Sequence, residues 1–300
     1  MFEKDVIRTE GLNFGYGTKN ILKSIDIQVP IGSVYGYLGK NGSGKTTTIK
    51  LLLGLLGNDK NNIFIFGKSV KKGSNHIKHD IGSIIEGPCF YDKLTVYENL
   101  KYLDIIYGKG HARIMEVINS TNLTPYKNTI ASKLSMGNKQ RLGIGMSILN
   151  DPSLLILDEP LNGLDPEGVH DMRILFQKFT AENKTIFISS HILTELEKIV
   201  SHVGVLDEGK LVFQGTKNEL LKEDCSLITV RVSEINKAKH ILEMNGINYL
   251  ENINETLEVP IYSEKEFSEF IKMLCENSID IYKLSTKTID LEQAYINLIN

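Results

Sequence analysis

Residues 33–56 read SVYGYLGKNGSGKTTTIKLLLGLL. An apolar run leads into Gly39-Lys40-Asn41-Gly42-Ser43-Gly44-Lys45-Thr46, and apolar residues at helical spacing follow. This is G-x-x-x-x-G-K-[ST] set between a strand and a helix, the context in which the pattern means phosphate binding. Glycines let the backbone curl until successive N–H groups face phosphate oxygens, and the following helix presents its positive end to the same place. Gly39 to Thr46 therefore form a candidate ATP cradle, with Thr47 behind it on the first helical turn. Lys45 is placed to pair with the β- and γ-phosphates, and the Thr46 hydroxyl to ligate Mg²⁺. The competing reading, a Gly-rich turn with a surface lysine, leaves both flanks unexplained.

Farther on, residues 153–160 read SLLILDEP, an apolar run ending in two carboxylates. A buried parallel strand delivers acids to its C-terminal edge in this way. Beside a phosphate loop, Asp158 is placed to hold a hydrated Mg²⁺ and Glu159 to orient and deprotonate an attacking water. Taken alone, the same run would serve as a strand closed by a solvated acidic turn.

The rest of the chain sets the frame. Its 300 residues carry 34 Lys+Arg against 37 Asp+Glu, a formal charge of −3, so the basic footprint of a nucleic-acid or anionic-lipid binder is missing. Ordinary globular composition, 41% hydrophobic and 24% charged, argues against wholesale disorder. Cys89, Cys225 and Cys275 are odd in number and far apart, which supports neither a disulfide framework nor a zinc site and fits a reducing cytoplasm. His76 and His79, in a Lys-rich loop with no third ligand, read as a solvated face. No stretch approaches the 18 or so apolar residues of a membrane span, so work at a membrane would need another chain to cross it.

Two regions are expected. Residues 1–215 alternate strand-like and helical runs around glycine turns, an α/β pattern, and end in a hairpin turning at Glu208-Gly209. Residues 216–300 give strand SLITVRV, helix INKAKHILEMNG closed by Gly246, strands INYLENI and TLEVPIY, helix EKEFSEFIKMLCEN, strand IDIYKLS and helix DLEQAYINLI. That order, β-α-β-β-α-β plus a helix, predicts a small split-βαβ, α+β accessory domain.

Between the two motifs lies Leu134-Ser135-Met136-Gly137-Asn138-Lys139-Gln140-Arg141. Here the sequence resembles the ATP-binding-cassette ATPases, whose signature reads L-S-G-G-Q, and the match is colinear across residues 1–215. The resemblance implies a P-loop ATPase fold: a mixed sheet core, an antiparallel N-terminal subdomain and a helical subdomain at about 88–148. It implies that Tyr16 stacks on adenine, although a strand-end tyrosine also fits the core. Residues 162–165, Asn-Gly-Leu-Asp, look like the loop that crosses the dimer interface, which brings Asp165 to the ATP site. His191 matches the switch histidine that senses the γ-phosphate and joins Glu159 and Lys45 as the catalytic set. The family's head-to-tail dimer, of identical or paralogous subunits, would put Ser135, Met136 and Gly137 against ATP held by the other copy. A separate permease would hold the chain at the cytoplasmic side of the membrane, with Phe90 and Tyr91 near its docking place.

Glu86 departs from the family pattern, which has glutamine at that strand end. A carboxylate is acceptor-only and brings a full charge toward nucleotide and Mg²⁺, where it would also serve as a ligand. With the G-P-x-F-Y that follows and the tail, it resembles the branch of bacitracin exporters and lantibiotic self-immunity transporters. Export of another drug or of lipid stays open. Met136 adds a side chain where the family has glycine, and Leu161 stands where a small polar residue is commoner. A GTPase would need N-K-x-D, which is absent, and a ribosome or DNA machine would carry tandem cassettes or a coiled coil. A non-hydrolysing module would have lost Lys45, Asp158, Glu159 or His191, and all four are present.

Overall fold

The structure, a computed structural model, describes residues 5–57, 62–74, 79–221, 226–252, 256–261, 263–287 and 290–299. His76 and Cys225 lie outside them. The chain divides into two compact units, residues 1–217 and 218–298.

The first unit opens with strands β1 (Asp5–Thr9), β2 (Leu12–Tyr16), β3 (Lys19–Ile25) and β4 (Gln28–Pro30). The phosphate-loop strand β5 (Val34–Leu38), helix α1 (Lys45–Leu52), and strands β6 (Ile63–Ile65), β7 (Lys68–Ser69) and β8 (Ile81–Ile84) follow. An antiparallel sheet in the order β4-β1-β6-β7 and the hairpin β2-β3 form the N-terminal layer. Then come α2 (Val96–Tyr107), α3 (Gly110–Ser120) and α4 (Met136–Ile148), the helical part. Thr95-Val96-Tyr97-Glu98 has the S/T-x-x-E spacing of a helix start, and it forms a reciprocal capping box: Thr95 accepts from the Glu98 backbone N–H, and Glu98 accepts from that of Thr95. These bonds hold the exposed Glu98 carboxyl below its usual range.

Strand β9 (Leu154–Asp158), α5 (Pro166–Ala181), β10 (Thr185–Ser190), α6 (Leu193–Glu197), β11 (His202–Asp207) and β12 (Lys210–Thr216) complete this region, and α7 (Lys217–Leu221) begins at its last residue and belongs otherwise to the second unit. A six-stranded sheet runs β12-β11-β5-β10-β9-β8, parallel except for the β11-β12 hairpin. That hairpin turns at Glu208 and Gly209, both at positive φ, as a two-residue type I′ turn requires. Every residue of β5, β9 and β10 is buried, which is why these strands are continuous apolar runs and not alternating ones. One core joins Val6, Ile7, Leu12 and Ile65 of the N-terminal layer to Tyr37, Leu154, Ile156 and Phe187 of the central sheet. Burial pushes the hydroxyls of Tyr35 and Tyr37 far up, so both stay neutral; they bond to Gln214 and Thr48. Leu161, out of place in the family pattern, is buried, so here an apolar side chain fills the core.

The second unit carries β13 (Ser226–Val232), α8 (Ile235–Met244), β14 (Leu250–Asn252), β15 (Thr256–Ile261), α9 (Glu264–Glu276), β16 (Ile281–Lys287) and α10 (Leu291–Ile299). Its antiparallel sheet, in the order β14-β15-β13-β16, is the split βαβ arrangement: β15 lies between β13 and β14. Ile228, Val230, Leu257 and Val259 face Leu242, Phe270 and Leu274 in its own core.

Candidate active site

Parallel register brings the candidate residues to one sheet edge. Ser189 of β10 pairs with Asp158 of β9, and Ser190 with Leu38 of β5. The C-terminal ends of three neighbouring strands therefore deliver the phosphate loop, the two acids and His191 to one place, the usual position of a ligand in an open α/β sheet.

The loop itself is held tightly. Gly44, the N-cap of α1, has φ +115°, which a side chain rarely adopts, and an added Cβ would lie 2.7 Å from Leu22 Cδ2. A Cβ on Gly39 would lie 2.5 Å from the Leu206 carbonyl oxygen. The Ser43 N–H donates to the Lys40 carbonyl (3.1 Å), while Asn41 and Gly42 are exposed. Ser43 Oγ is buried with no hydrogen-bond partner. A buried orphan hydroxyl inside a curl of backbone fits a phosphate oxygen, since such a group is costly unless something bonds to it. Lys45 is buried, and its Nζ donates to the carbonyls of Gly39 (2.7 Å) and Lys40 (3.4 Å). Thr47 is half-buried on the first turn.

Asp158 is 3% exposed and doubly bonded: Thr46 Oγ1 donates to Oδ2 (2.8 Å) and Ser189 Oγ to Oδ1 (2.5 Å). The Thr46 hydroxyl and the Asp158 carboxylate are hard oxygen donors side by side, a set that fits Mg²⁺. Glu159 has φ +50°, a strained setting fixed by its N–H donating to Ser189 O and Oγ, both at 3.1 Å. Its Oε1 lies 3.5 Å from Lys45 Nζ, and its Oε2 lies 2.9 Å from His191 Nδ1 and accepts from the His191 N–H at 3.3 Å. A carboxylate that accepts here requires a proton on Nδ1.

Tyr16 ends β2 half exposed, with Phe14 edge-on at a centroid distance of 5.0 Å, so one ring face is not taken up by the core. Glu86 is not brought to Thr46 and Asp158. Its carboxylate, exposed, accepts from Lys50 Nζ at 2.6 Å. The remaining residues form a second group. Ser135 caps α4 by accepting from the Asn138 N–H (3.3 Å), and Asp165 caps α5 by accepting from the Gly168 N–H (2.8 Å), with Pro166 at the first helical position. Met136 is exposed, and its Cγ would lie 2.8 Å from a Cβ on Gly163. A Cβ on Gly137 would have Leu164 Cδ2 at 3.5 Å. Among the described residues, no hydrogen bond or ion pair joins Ser135, Met136, Gly137 or Asp165 to the phosphate loop.

Two functional contacts escaped the sequence reading. Ser189 bridges both acids; the serine pair ending the apolar run TIFISS of β10 was the available signal. Lys50 had none, because 36 residues separate it from Glu86.

Comparisons with known proteins bear on the family. Residues 22–162 match the family model described as ABC transporter. The Bacillus licheniformis bacitracin transport ATP-binding protein BcrA is 40% identical over 298 residues, 98% of this chain and 97% of its own. The Streptococcus pyogenes lantibiotic transport ATP-binding protein SrtF is 38% identical over 209 residues, 70% of this chain and 90% of its own. A solved ATP-binding subunit of an ABC transporter superposes with a TM-score of 0.66 at 28% identity, covering 73% of this chain and 92% of that one. The chain belongs to the ABC transporter family, as an ATP-binding subunit that hydrolyses ATP.

Proposed function

We propose that this chain powers a separate membrane permease that exports peptide antibiotics of the bacitracin and lantibiotic kind, giving its cell immunity to them. The likeness to a bacitracin transport protein covers 98% of the chain, so it runs through the second unit as well as the ATPase. Glu86 in place of glutamine and the terminal helix α10 support the same branch.

The observation that carries the chemistry is the joining of Thr46 to Asp158 and of Glu159 to His191 at one sheet edge. The backbone N–H groups of residues 39–46, with the orphan Ser43 hydroxyl, grip the phosphates. Lys45 leaves the carbonyls of its own loop for the β- and γ-phosphates, and Tyr16 covers the adenine. Thr46 and Asp158 would hold Mg²⁺, which when bound neutralises charge on the transferred phosphoryl group. Glu159 orients the attacking water and takes its proton. His191, with its Nδ1 proton fixed on Glu159, keeps that carboxylate aimed at the γ-phosphate. Ser135, Met136, Gly137 and Asp165 lie apart from the loop within one chain, which supports their acting on ATP held by a second copy.

No helix among the described residues is long and apolar enough to cross a membrane, so the span would belong to the permease. Leu53, Ile85, Cys89, Leu103, Tyr107 and Met146 line a groove of about 490 Å³, fit for an apolar permease segment. A permease bound there would hold the chain on the cytoplasmic face of the membrane. Expressed with its permease in a sensitive host, the wild-type chain should raise the minimum inhibitory concentration of bacitracin or a lantibiotic at least fourfold or so, and Glu159→Gln should abolish the rise. Protection that persists in Glu159→Gln would contradict the reading.

A further inference from the structure

Helix α1 presents one face to two strand ends. Thr46 and Lys50 stand four residues apart, one turn, and so share a side of the helix. Thr46 bonds to Asp158 at the end of β9, and Lys50 bonds to Glu86 just beyond the end of β8. These strands are parallel neighbours, with Ile84 opposite Leu157, so the two carboxylates leave adjacent rungs of one sheet toward one helix face. Glu86 reaches Lys50 from a left-handed backbone, φ +58°, followed by Gly87 at φ +128°. A non-glycine residue is held there only when its surroundings demand it.

We propose that Lys50 is a positioning residue for Glu86, holding and neutralising the carboxylate one helical turn from Thr46, so that an acid at this strand end does not repel the nucleotide phosphates. The inference rests on the proposed reading of residues 39–46 as the ATP site, to which the Thr46 and Lys50 face of α1 belongs; the Glu86 carboxylate itself is held on Lys50 and not on Thr46 or Asp158. Glutamine at that place needs no counter-charge; glutamate does. The hydrogen bond from Lys50 to Glu86 is the largest cause of the rise in the Lys50 pKa, and the charge of Asp158 adds to it, so the ammonium also senses the neighbouring acid. The pair is partly exposed, with Lys50 at 29% and Glu86 at 65%, so its contribution to folding is small and its effect falls on the placement of charge.

The test is a double-mutant cycle on the full chain, read by equilibrium titration of ATP with and without Mg²⁺ and by the rate of phosphate release. In the chain that keeps Glu86, Lys50→Met should weaken Mg-ATP binding about three- to fivefold, the scale of one partly screened charge pair, while Lys50→Arg should retain affinity. In Glu86→Gln, the same Lys50→Met change should alter affinity by less than about 1.5-fold. Equal penalties in the two backgrounds, or none in either, would overturn the proposal, because Lys50 would then act on the nucleotide directly or not at all. Glu86→Gln with unchanged phosphate release and unchanged drug protection would instead remove Glu86 from the site, and Lys50 with it. Thermal unfolding midpoints of all four chains separate these outcomes from a folding defect.

Discussion

Glu159 stands at φ +50°, with Lys45 on one oxygen and His191 on the other. Such a backbone costs about 1–3 kcal/mol, and the two Ser189 bonds to its N–H are what hold it. A general base needs that fixed aim more than it needs stability. Glu159→Gln keeps the shape and loses the proton acceptor, so phosphate release should fall about a hundred- to a thousandfold while ATP binding is kept within a few fold. Nucleotide titration beside a phosphate-release assay checks both halves. At this scale the sequence was informative where chemistry is local: Gly39 to Thr46 lie within eight residues, and Asp158-Glu159 are adjacent. It was silent on Lys50, since the pair with Glu86 exists only once α1 packs on the sheet against β9, the neighbour of β8, and nothing in either flank encodes that approach.

Helix α4 carries Ser135 at its start and is seated by glycines. A Cβ on Gly82 of β8 would lie 2.0 Å from the Ser147 carbonyl oxygen, and one on Gly143 would lie 2.5 Å from Pro88 Cβ. The helix therefore rests almost backbone to backbone on the strand that leads to Glu86. Gly82→Ala should destabilise the chain by about 1–3 kcal/mol through overpacking, measured by denaturant unfolding, and should lower ATP turnover by shifting Ser135. The elements themselves were readable from periodicity. Apolar runs marked β5 and β9, the capping box marked α2, and the alternating β and α pattern of residues 226–299 became the β14-β15-β13-β16 sheet in the expected order. The closeness of α4 to β8 was not readable, because a glycine in a strand looks the same whether it admits a helix or merely turns the chain. Nor was Asp165 legible as the cap of α5, since Asp-Pro at a helix start and an interface aspartate share one spelling.

At the scale of the molecule, one chain holds two groups of site residues that do not meet. Lys45, Thr46, Asp158, Glu159 and His191 gather at the sheet edge, whereas Met136 and Gly137 lie against residues 163–164 and Ser135 caps the same helix. A near-neutral charge of −3 suits this division: the phosphates are gripped by one loop and one lysine, so no broad basic surface is needed, and two copies can approach without strong repulsion. Two chains paired head to tail would each complete the other's site. The direct measurement is complementation in phosphate release. Lys45→Ala, which cannot grip ATP, and Ser135→Arg, which obstructs the signature edge, should each be nearly inactive alone. Mixed in equal amounts they should recover about a quarter of wild-type activity, since half of the pairs would be mixed and each mixed pair holds one intact site. Activity that stays at the level of the single variants after mixing, while both still fold and associate, would contradict a site shared between two chains.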